Sequence, residues 1–423
     1  MTVLLLGSMA IFFVIGVPAF VALGLPAVLV VFLDTFPMNI LPQRIFFGLD
    51  RFGLMAIPYF IFCAEVMGRG QVGIKLVTLA RVLCGHLPGG MAIVTVVACL
   101  MFGAIAGAGM AGLLAFGALL YKLMRGSGYP ENFAAGLISM SSNFAQSIPP
   151  SLMLVTFATV TGVSTAALFL AGLSAGLLFA FSLAIFSIIY SIKTKLPRME
   201  KVPWSKRWKP IREALWALGM LFIVFVGIYG GYLSITEAAG FAAFYALLVE
   251  LIVYRSMKIK DIYPVAAKAA KTTSMIMILI ATGGLIAWFL TMWQVPQMAV
   301  ALLGDAHPII VLLLVNLIFL VFGLVLEPAT AVVVLMPIVF FPAVAVGIHP
   351  LHLGAIVILN LSIGMVTPPL GVNLFVGTSV FGLSFARMSV AVLPFIGITL
   401  ILLLVISLFP QLVTWLPTWS GLA

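Results

Sequence analysis

The chain has 423 residues, of which 64% are hydrophobic and only 8% are charged, and its mean hydropathy is +1.30. Soluble globular domains carry roughly a quarter charged residues, so the composition excludes that class and indicates a polytopic membrane protein. The three cysteines are scattered, and the sequence contains neither a phosphate-binding loop nor a metalloprotease or hydrolase motif. Nothing therefore indicates an enzyme or a nucleotide-driven pump.

The first apolar segment, Val3 to Leu33, lacks a basic region before it and is too long for a cleavable signal peptide, so we expect a spanning helix. The net charge of +10 is concentrated further along: thirteen of the 21 lysines and arginines lie between Lys193 and Lys271. Short basic loops mark the cytoplasmic side of a membrane protein. We therefore interpret the basic residues as a determinant of membrane topology that also contacts lipid, and not as a surface that binds nucleic acid.

Two prolines stand side by side within an apolar stretch, and this happens twice, at Pro149-Pro150 and at Pro368-Pro369. Proline removes a backbone donor and clashes with the preceding turn, so each pair predicts a broken helix. A break at membrane depth frees backbone polar groups, which is tolerated only where they line a protected cavity. Matching breaks in the two halves of a chain indicate the binding site of a transporter.

The second half of the chain repeats the first. Gly103–Gly109 aligns with Gly323–Ala329, Gly136 aligns with Gly354, and the two proline pairs align, at offsets of 218 to 220 residues. Each repeat contains a spanning helix, a short amphipathic arm, an apolar hairpin, a broken helix and a closing helix.

Charges at the feet of the two hairpins predict opposite orientations. The first hairpin, 88–124, is flanked by basic residues such as Arg81 and Lys122, whereas the second, 308–346, is flanked by Asp305, His307 and His349 without lysine or arginine. By the positive-inside bias, the first enters from the cytoplasm and the second from outside, so the repeats are inverted. The C-terminus is then external.

The fold class is therefore an all-α polytopic membrane protein with inverted repeats, each with a re-entrant hairpin and a broken helix. The expected segments are an N-terminal scaffold helix and external loop (1–52), repeat 1 (53–192, broken helix 132–162), a basic cytoplasmic linker (193–213), scaffold helices (214–256) and repeat 2 (257–423, comprising an arm, a scaffold helix, the hairpin, a broken helix 351–380 and a closing helix).

Polar residues are concentrated at the breaks, whereas no lysine or arginine lies between 126 and 192 or between 272 and 386. A substrate bound there would be held by helix ends, hydroxyls, amides and a co-bound cation. The alternative is that these groups only satisfy the freed backbone. The polar positions are Ser141, Ser142, Asn143, Gln146, Ser147 and Ser151 in the first break and Asn360, Ser362, Thr367 and Asn373 in the second.

Glu327 is an acidic residue deep in an apolar segment, at the expected tip of the second hairpin beside Thr330. Intramembrane carboxylates are functional candidates by default. It could orient the tip, bind a cation, or reach water in a cavity. His349 and His352 have helical spacing but lack an acidic or cysteine partner nearby, so no transition-metal site is expected.

Five segments carry a family resemblance: Phe52–Met67, Leu87–Gly90, Ile148–Ser151, Tyr229–Ala239 and Ile363–Phe375. They resemble the large membrane subunit of tripartite ATP-independent periplasmic (TRAP) transporters, and the resemblance covers nearly the whole chain. Two departures are visible. The first hairpin tip, Gly103–Gly109, lacks the hydroxyls usual in the family, and Glu327 stands where an aspartate is common.

The resemblance implies a sodium-coupled, elevator-type importer of small organic anions in the bacterial inner membrane, binding two or more sodium ions. The implied partners are a small four-helix membrane subunit and a periplasmic substrate-binding protein. Because the first tip has no hydroxyls, its sodium ligands would include backbone carbonyls. We predict sodium ligands at Ala106, Gly107, Ser141, Ser142, Glu327, Thr330, Gly364 and Thr367, and substrate contacts at Asn143, Gln146, Ser147, Ser151 and Asn373.

Three other functions remain open at this point. One is a self-sufficient carrier of related architecture that works without a binding protein. The others are a membrane enzyme, which would need convergent titratable residues that this sequence lacks, and a channel, which the paired breaks disfavour. The sequence does not identify the organic anion.

Overall fold

The computed structural model describes residues 1–34, 36–107, 109–196, 198–303 and 306–422, and within these ranges the chain is helical without strands. Repeat 1 and the segment before it contain α1 (Thr2–Ile15), α2 (Ala19–Leu33), α3 (Ile40–Leu49), α4 (Ala56–Arg69), α5 (Val72–Cys84), α6 (Gly90–Ala106), α7 (Gly109–Gly126), α8 (Glu131–Ser141), α9 (Phe144–Ser147), α10 (Leu152–Thr161) and α11 (Thr165–Lys193).

The second half follows with α12 (Trp204–Tyr229), α13 (Ile235–Leu248), α14 (Ile259–Met292), α15 (Val295–Leu303), α16 (Pro308–Val325), α17 (Pro328–Ala345), α18 (Pro350–Gly364), α19 (Val372–Phe381), α20 (Phe385–Leu408) and α21 (Gln411–Trp419). Eight helical segments of the described residues are long and apolar enough to cross a membrane. The expectation of a polytopic all-α protein is confirmed.

The N-terminal segment differs from the sequence-based expectation. The segment from Val3 to Leu33 forms two helices, α1 and α2, instead of one. The chain turns between them because Gly16 adopts a left-handed φ of 82° and Pro18 carries no N–H. The two helices pack on each other. The segment expected as an external loop contains α3, which packs on α14. Its Pro42 lies in the first helical turn, where proline is tolerated.

Repeat 2 also begins differently than expected. The arm and scaffold helix predicted as separate elements form one 34-residue helix, α14, and the short helix α15 follows it. The alanine- and lysine-rich stretch from Val265 to Lys271 favours an uninterrupted helix. The corresponding part of repeat 1 is interrupted between α3 and α4, where Phe52–Met55 forms a 3₁₀ turn.

The two repeats pack into each other in the same way. The first arm of each hairpin, α6 or α16, packs on the broken helix of its own repeat, whereas the second arm, α7 or α17, packs on the second half of the other broken helix. Each closing helix, α11 or α20, packs on the broken helix of the other repeat. The aligned glycines take equivalent places: a Cβ on Gly136 would meet α20 at Ala391, and one on Gly354 would meet α11 at Leu168.

The number of membrane crossings between the two hairpins accounts for their opposite orientation. Between the two hairpins the chain passes through the broken helix α8–α10 and then through α11, α12, α13 and α14. Five crossings are an odd number, so the feet of the two hairpins lie on opposite sides of the membrane. The contact pattern and this count together define inverted repeats with a central pair of broken helices.

Candidate functional site

Each hairpin tip approaches the break of its own repeat so closely that only glycine fits. A Cβ on Gly103 would lie 2.8 Å from the backbone nitrogen of Ala145, and a Cβ on Gly364 would lie 2.8 Å from the carbonyl carbon of Gly323. At the first tip, the Leu152 N–H donates to the Gly107 carbonyl at 3.5 Å. Gly107 therefore lies against the first break, as the sequence predicts, and Glu327 lies at the other tip, between α16 and α17.

A buried amide cluster joins the two breaks. The Asn143 Nδ2 donates to the Ser362 carbonyl at 2.8 Å, and its Oδ1 accepts from the Asn373 Nδ2 at 2.5 Å. Gln146 accepts from the Ser362 hydroxyl at 3.1 Å, and its Nε2 contacts the Met365 sulfur. All five side chains are buried. Three predicted substrate residues are thus brought together, bonded across the repeats.

Two of these contacts join equivalent positions of the repeats. Asn143 and Ser362 are 219 residues apart, and so are Gln146 and Met365. A contact between equivalent positions lies on the pseudo-two-fold axis that relates the repeats. The axis therefore passes through the amide cluster, which places the two breaks back to back at the centre of the fold.

Three predicted site hydroxyls donate to backbone carbonyls close to them in sequence. Ser142 donates to Ser139 at 2.8 Å, Thr367 to Ile363 at 2.7 Å, and Ser151 to Gln146 at 2.5 Å. Ser151 also caps α10 by accepting from the Leu154 N–H at 3.5 Å. A hydroxyl whose proton is used in this way keeps its oxygen lone pairs for a cation. These bonds satisfy freed backbone and remain compatible with cation binding.

Other buried oxygens at the breaks and at the second hairpin tip have no hydrogen-bond partner among the described residues. Such groups are costly to bury and call for an explanation, such as an ion or water. Among the predicted residues they are Ser141 Oγ, Ser147 Oγ, Thr330 Oγ1 and Asn373 Oδ1, and Asn360 Oδ1 joins them. Ser141 and Asn360 occupy equivalent positions, 219 residues apart. The sequence placed Asn360 among the polar positions of the second break, but not among the predicted sodium ligands or substrate contacts.

The two breaks differ in exposure. The first is buried throughout from Ser139 to Ser151, whereas Leu370 in the second is 46% exposed and Glu327 at the second tip is also exposed. Glu327 accepts from the Thr330 N–H at 3.2 Å and so caps α17. The backbone of Ala106 ends α6, but its side chain lies outside the described residues, as do Ala108 and Asp305.

The two histidines that were considered for metal binding, His349 and His352, make hydrogen bonds to the backbone instead. The Nε2 of His352 lies 2.8 Å from the Ile406 carbonyl, and His349 caps α18 by accepting from the Leu351 N–H. Within the described residues, no group of three or more His, Cys, Asp or Glu side chains could hold a metal ion. Gly364 and Thr367 form a tight turn, in which the Thr367 N–H donates to the Gly364 carbonyl at 3.0 Å.

Inverted repeats, paired broken helices and a central polar site define a multi-pass secondary transporter. The chain belongs to the family described as "Tripartite ATP-independent periplasmic transporter, DctM component", whose model matches residues 6–412. It is a large permease subunit of the inner membrane and not an enzyme, which confirms the family, class and location predicted from sequence.

Known relatives agree with this assignment. The chain is 36% identical to the C4-dicarboxylate TRAP transporter large permease protein DctM of Pseudomonas aeruginosa, over 90% of either chain. It is also 36% identical to the isethionate TRAP transporter permease protein DctMQ of Oleidesulfovibrio alaskensis, over 96% of this chain and 65% of that protein. The fold is similar to that of the Alcanivorax borkumensis YdaH transporter, with a TM-score of 0.66, 14% identity, and coverage of 91% and 90%.

Proposed function

We propose that this permease imports a small organic anion, a carboxylate or a sulfonate, together with sodium ions by an elevator movement of the hairpins and broken helices. A periplasmic binding protein delivers the anion, and a small four-helix subunit completes the membrane part. The relatives named for a C4-dicarboxylate and for isethionate support the substrate class. The name DctMQ, carried by a relative longer than this chain, supports the small subunit.

The observation that carries the proposal is the set of unpartnered oxygens at two breaks that lack lysine and arginine. An anion bound without a cationic side chain needs compensating positive charge. Helix termini supply part of it, and a co-bound sodium ion, held by hydroxyl and carbonyl oxygens, supplies the rest.

Two sodium positions follow from the symmetry of the repeats. One lies near the Gly107 tip with Ser141, and the other near the Glu327 tip with Asn360 and Thr330. The hydroxyls of Ser142 and Thr367 are available as further ligands, because their protons are already donated to helix carbonyls. The exposed Glu327 side chain would add a negative charge to the second position only.

The test is uptake of succinate and of isethionate into proteoliposomes that contain all three components, with and without an inward sodium gradient. Sodium-dependent uptake that requires the binding protein supports the proposal. Uptake by the membrane part alone would instead favour a self-sufficient carrier. Equal uptake with and without sodium would refute the coupling.

Replacing Thr367 or Thr330 with valine should raise the sodium concentration that gives half-maximal uptake. Valine keeps the shape and removes the oxygen, and one lost ligand is worth about 1–3 kcal/mol by analogy with an unpaired buried polar group. Thr378→Val is the matched control, because its hydroxyl also donates to a helix carbonyl, at 2.6 Å, but further along α19. Sodium dependence that changes equally in all three variants would argue against specific ligation.

Orientation is the second part of the proposal, with the basic linker 193–213 in the cytoplasm. A cysteine at Ser205, which is exposed near the start of α12, should react with an impermeant maleimide only in inside-out vesicles. Cys84→Ser provides the background, because the other two cysteines are buried. Labelling in intact spheroplasts would reverse the topology.

A further inference from the structure

A cavity of about 230 Å³ lies between the scaffold helices α3 and α14 and two moving elements of the elevator, α10 and α17. It is separate from the amide cluster and contains no residue of either break. Arg44 and Arg51 are among its lining residues, together with Trp288, Thr159 and the small residues Gly283 and Gly284. Its size suits a ligand smaller than a drug molecule, since the pockets that bind drug-sized ligands have volumes of about 300–1,000 Å³.

Both arginines lack an acidic partner among the residues that the structure describes. The Arg44 guanidinium lies 4.6 Å from the centroid of the Trp288 ring, and its Nε is buried without a hydrogen bond. Arg51 donates from Nη1 to the Thr159 carbonyl at 2.5 Å, at the end of α10. The two guanidinium groups together have ten N–H donors. Because Arg44 stacks on Trp288 and Arg51 makes one bond to a carbonyl, most of these donors are free to bind an oxyanion.

The inverted repeat contains a counterpart cavity lined by Glu65, Arg69 and Lys268. Offsets of 219 residues relate Glu65 to Gly284 and Arg69 to Trp288, so the two cavities occupy equivalent places. In the counterpart, Arg69 pairs with Asp261 at 2.9 Å and Lys268 pairs with Glu65 at 2.7 Å. Its positive charge is thus balanced by carboxylates, whereas the Arg44 cavity has glycine where the counterpart has glutamate.

The proposed orientation places these two arginines apart from all other cations. Of the 21 lysines and arginines, every one except Arg44 and Arg51 falls on the cytoplasmic side, and both exceptions line the same cavity. Arginine on the external side runs against the positive-inside bias. A function at this cavity accounts for that exception better than topology does.

We propose that the Arg44 cavity is an external receiving site for the carboxylate or sulfonate group of the imported anion, occupied before the anion reaches the breaks. A cleft lined by one sign of charge concentrates the opposite ion. The charge-balanced counterpart on the cytoplasmic side does not hold the anion, which favours release there. This inference rests on the proposed import of an organic anion and on the proposed orientation.

The test measures the potential in the cavity without measuring transport. Val160→Cys, in a Cys84→Ser background, places a thiol on the cavity wall. Sulfonatoethyl and trimethylammonioethyl methanethiosulfonate are then applied from outside to spheroplasts. The anionic reagent should react about tenfold faster than the cationic one, relative to the same ratio for a free thiol. Arg44→Gln should remove most of this preference, Arg44→Lys should retain it, and succinate should slow the reaction.

Leu302→Cys is the matched control, because this residue of α15 is 84% exposed and lies outside the cavity lining. It should show no preference and no protection by succinate. Equal rates at Val160→Cys, or a preference that Arg44→Gln leaves unchanged, would overturn the inference. A preference that succinate cannot reduce would assign the cavity to anionic lipid headgroups and also overturn it. If the wild type imports no anion, but Val160→Cys still prefers the anionic reagent and is protected by succinate, the proposed function is wrong and the Arg44 cavity is still an anion-binding site.

Discussion

Replacing Asn143 with leucine should abolish anion uptake and lower the free energy of unfolding. The Asn143 amide bonds the Ser362 carbonyl and the Asn373 amide, and both partners are buried. Leucine has similar volume but no polar atom, so each partner would be left unsatisfied at a cost of about 1–3 kcal/mol. Because the amide lies on the pseudo-two-fold axis, its loss separates the two breaks and removes a predicted substrate contact.

Uptake in proteoliposomes and the thermal unfolding midpoint in detergent are the two measurements. Thr399→Ala serves as the control, since its hydroxyl donates to the Phe395 carbonyl at 2.8 Å within α20, also in the buried interior but away from the amide cluster. It should lower the midpoint while uptake continues. Normal uptake by Asn143→Leu would show that the amide cluster has only a structural role.

The position of the breaks could be predicted from the sequence because their cause is local. Doubled prolines cannot continue a helix, and the glycines Gly103 and Gly364 are needed where two backbones touch. The constant offset between the halves then predicted the repeat, and the packing of Gly136 and Gly354 confirms that they are equivalent. Local residue types and an internal alignment were therefore sufficient for the architecture.

The hydrogen-bonding pattern within the site could not be predicted in the same way. Asn143 finds partners 219 and 230 residues away, and no local rule selects Ser362 and Asn373 from the other polar groups. The Arg44 cavity was missed for a related reason, because α3 was expected as a loop and its contact with α14 is long-range. The difference in charge between the two equivalent cavities depends on residues that are brought together only in the folded structure.

Gly364→Ala should prevent the second hairpin from closing on its break and should cause a large loss of uptake. The added Cβ would lie 2.8 to 2.9 Å from three backbone atoms of Gly323, closer than real Cβ atoms come. Backbone cannot rotate away as a side chain can, so α16 and α18 must separate, and overpacking of this kind costs about 1–3 kcal/mol. Gly103→Ala should have the same effect in the first repeat, where its Cβ would meet the backbone of Ala145.

Gly240→Ala is the matched control, since this glycine lies within α13 and a Cβ there would meet no atom within 4 Å. It should leave uptake unchanged and the unfolding midpoint equal or slightly higher, because alanine is the better helix former by about 0.5–1 kcal/mol. Uptake and thermal midpoint are measured for all three variants together. Similar uptake by Gly364→Ala and Gly240→Ala would mean that contact between the second hairpin and its break is not needed in the transport cycle. A defect confined to Gly364→Ala, with Gly103→Ala normal, would restrict the moving contact to the second repeat, where Glu327 and the exposed end of the break lie.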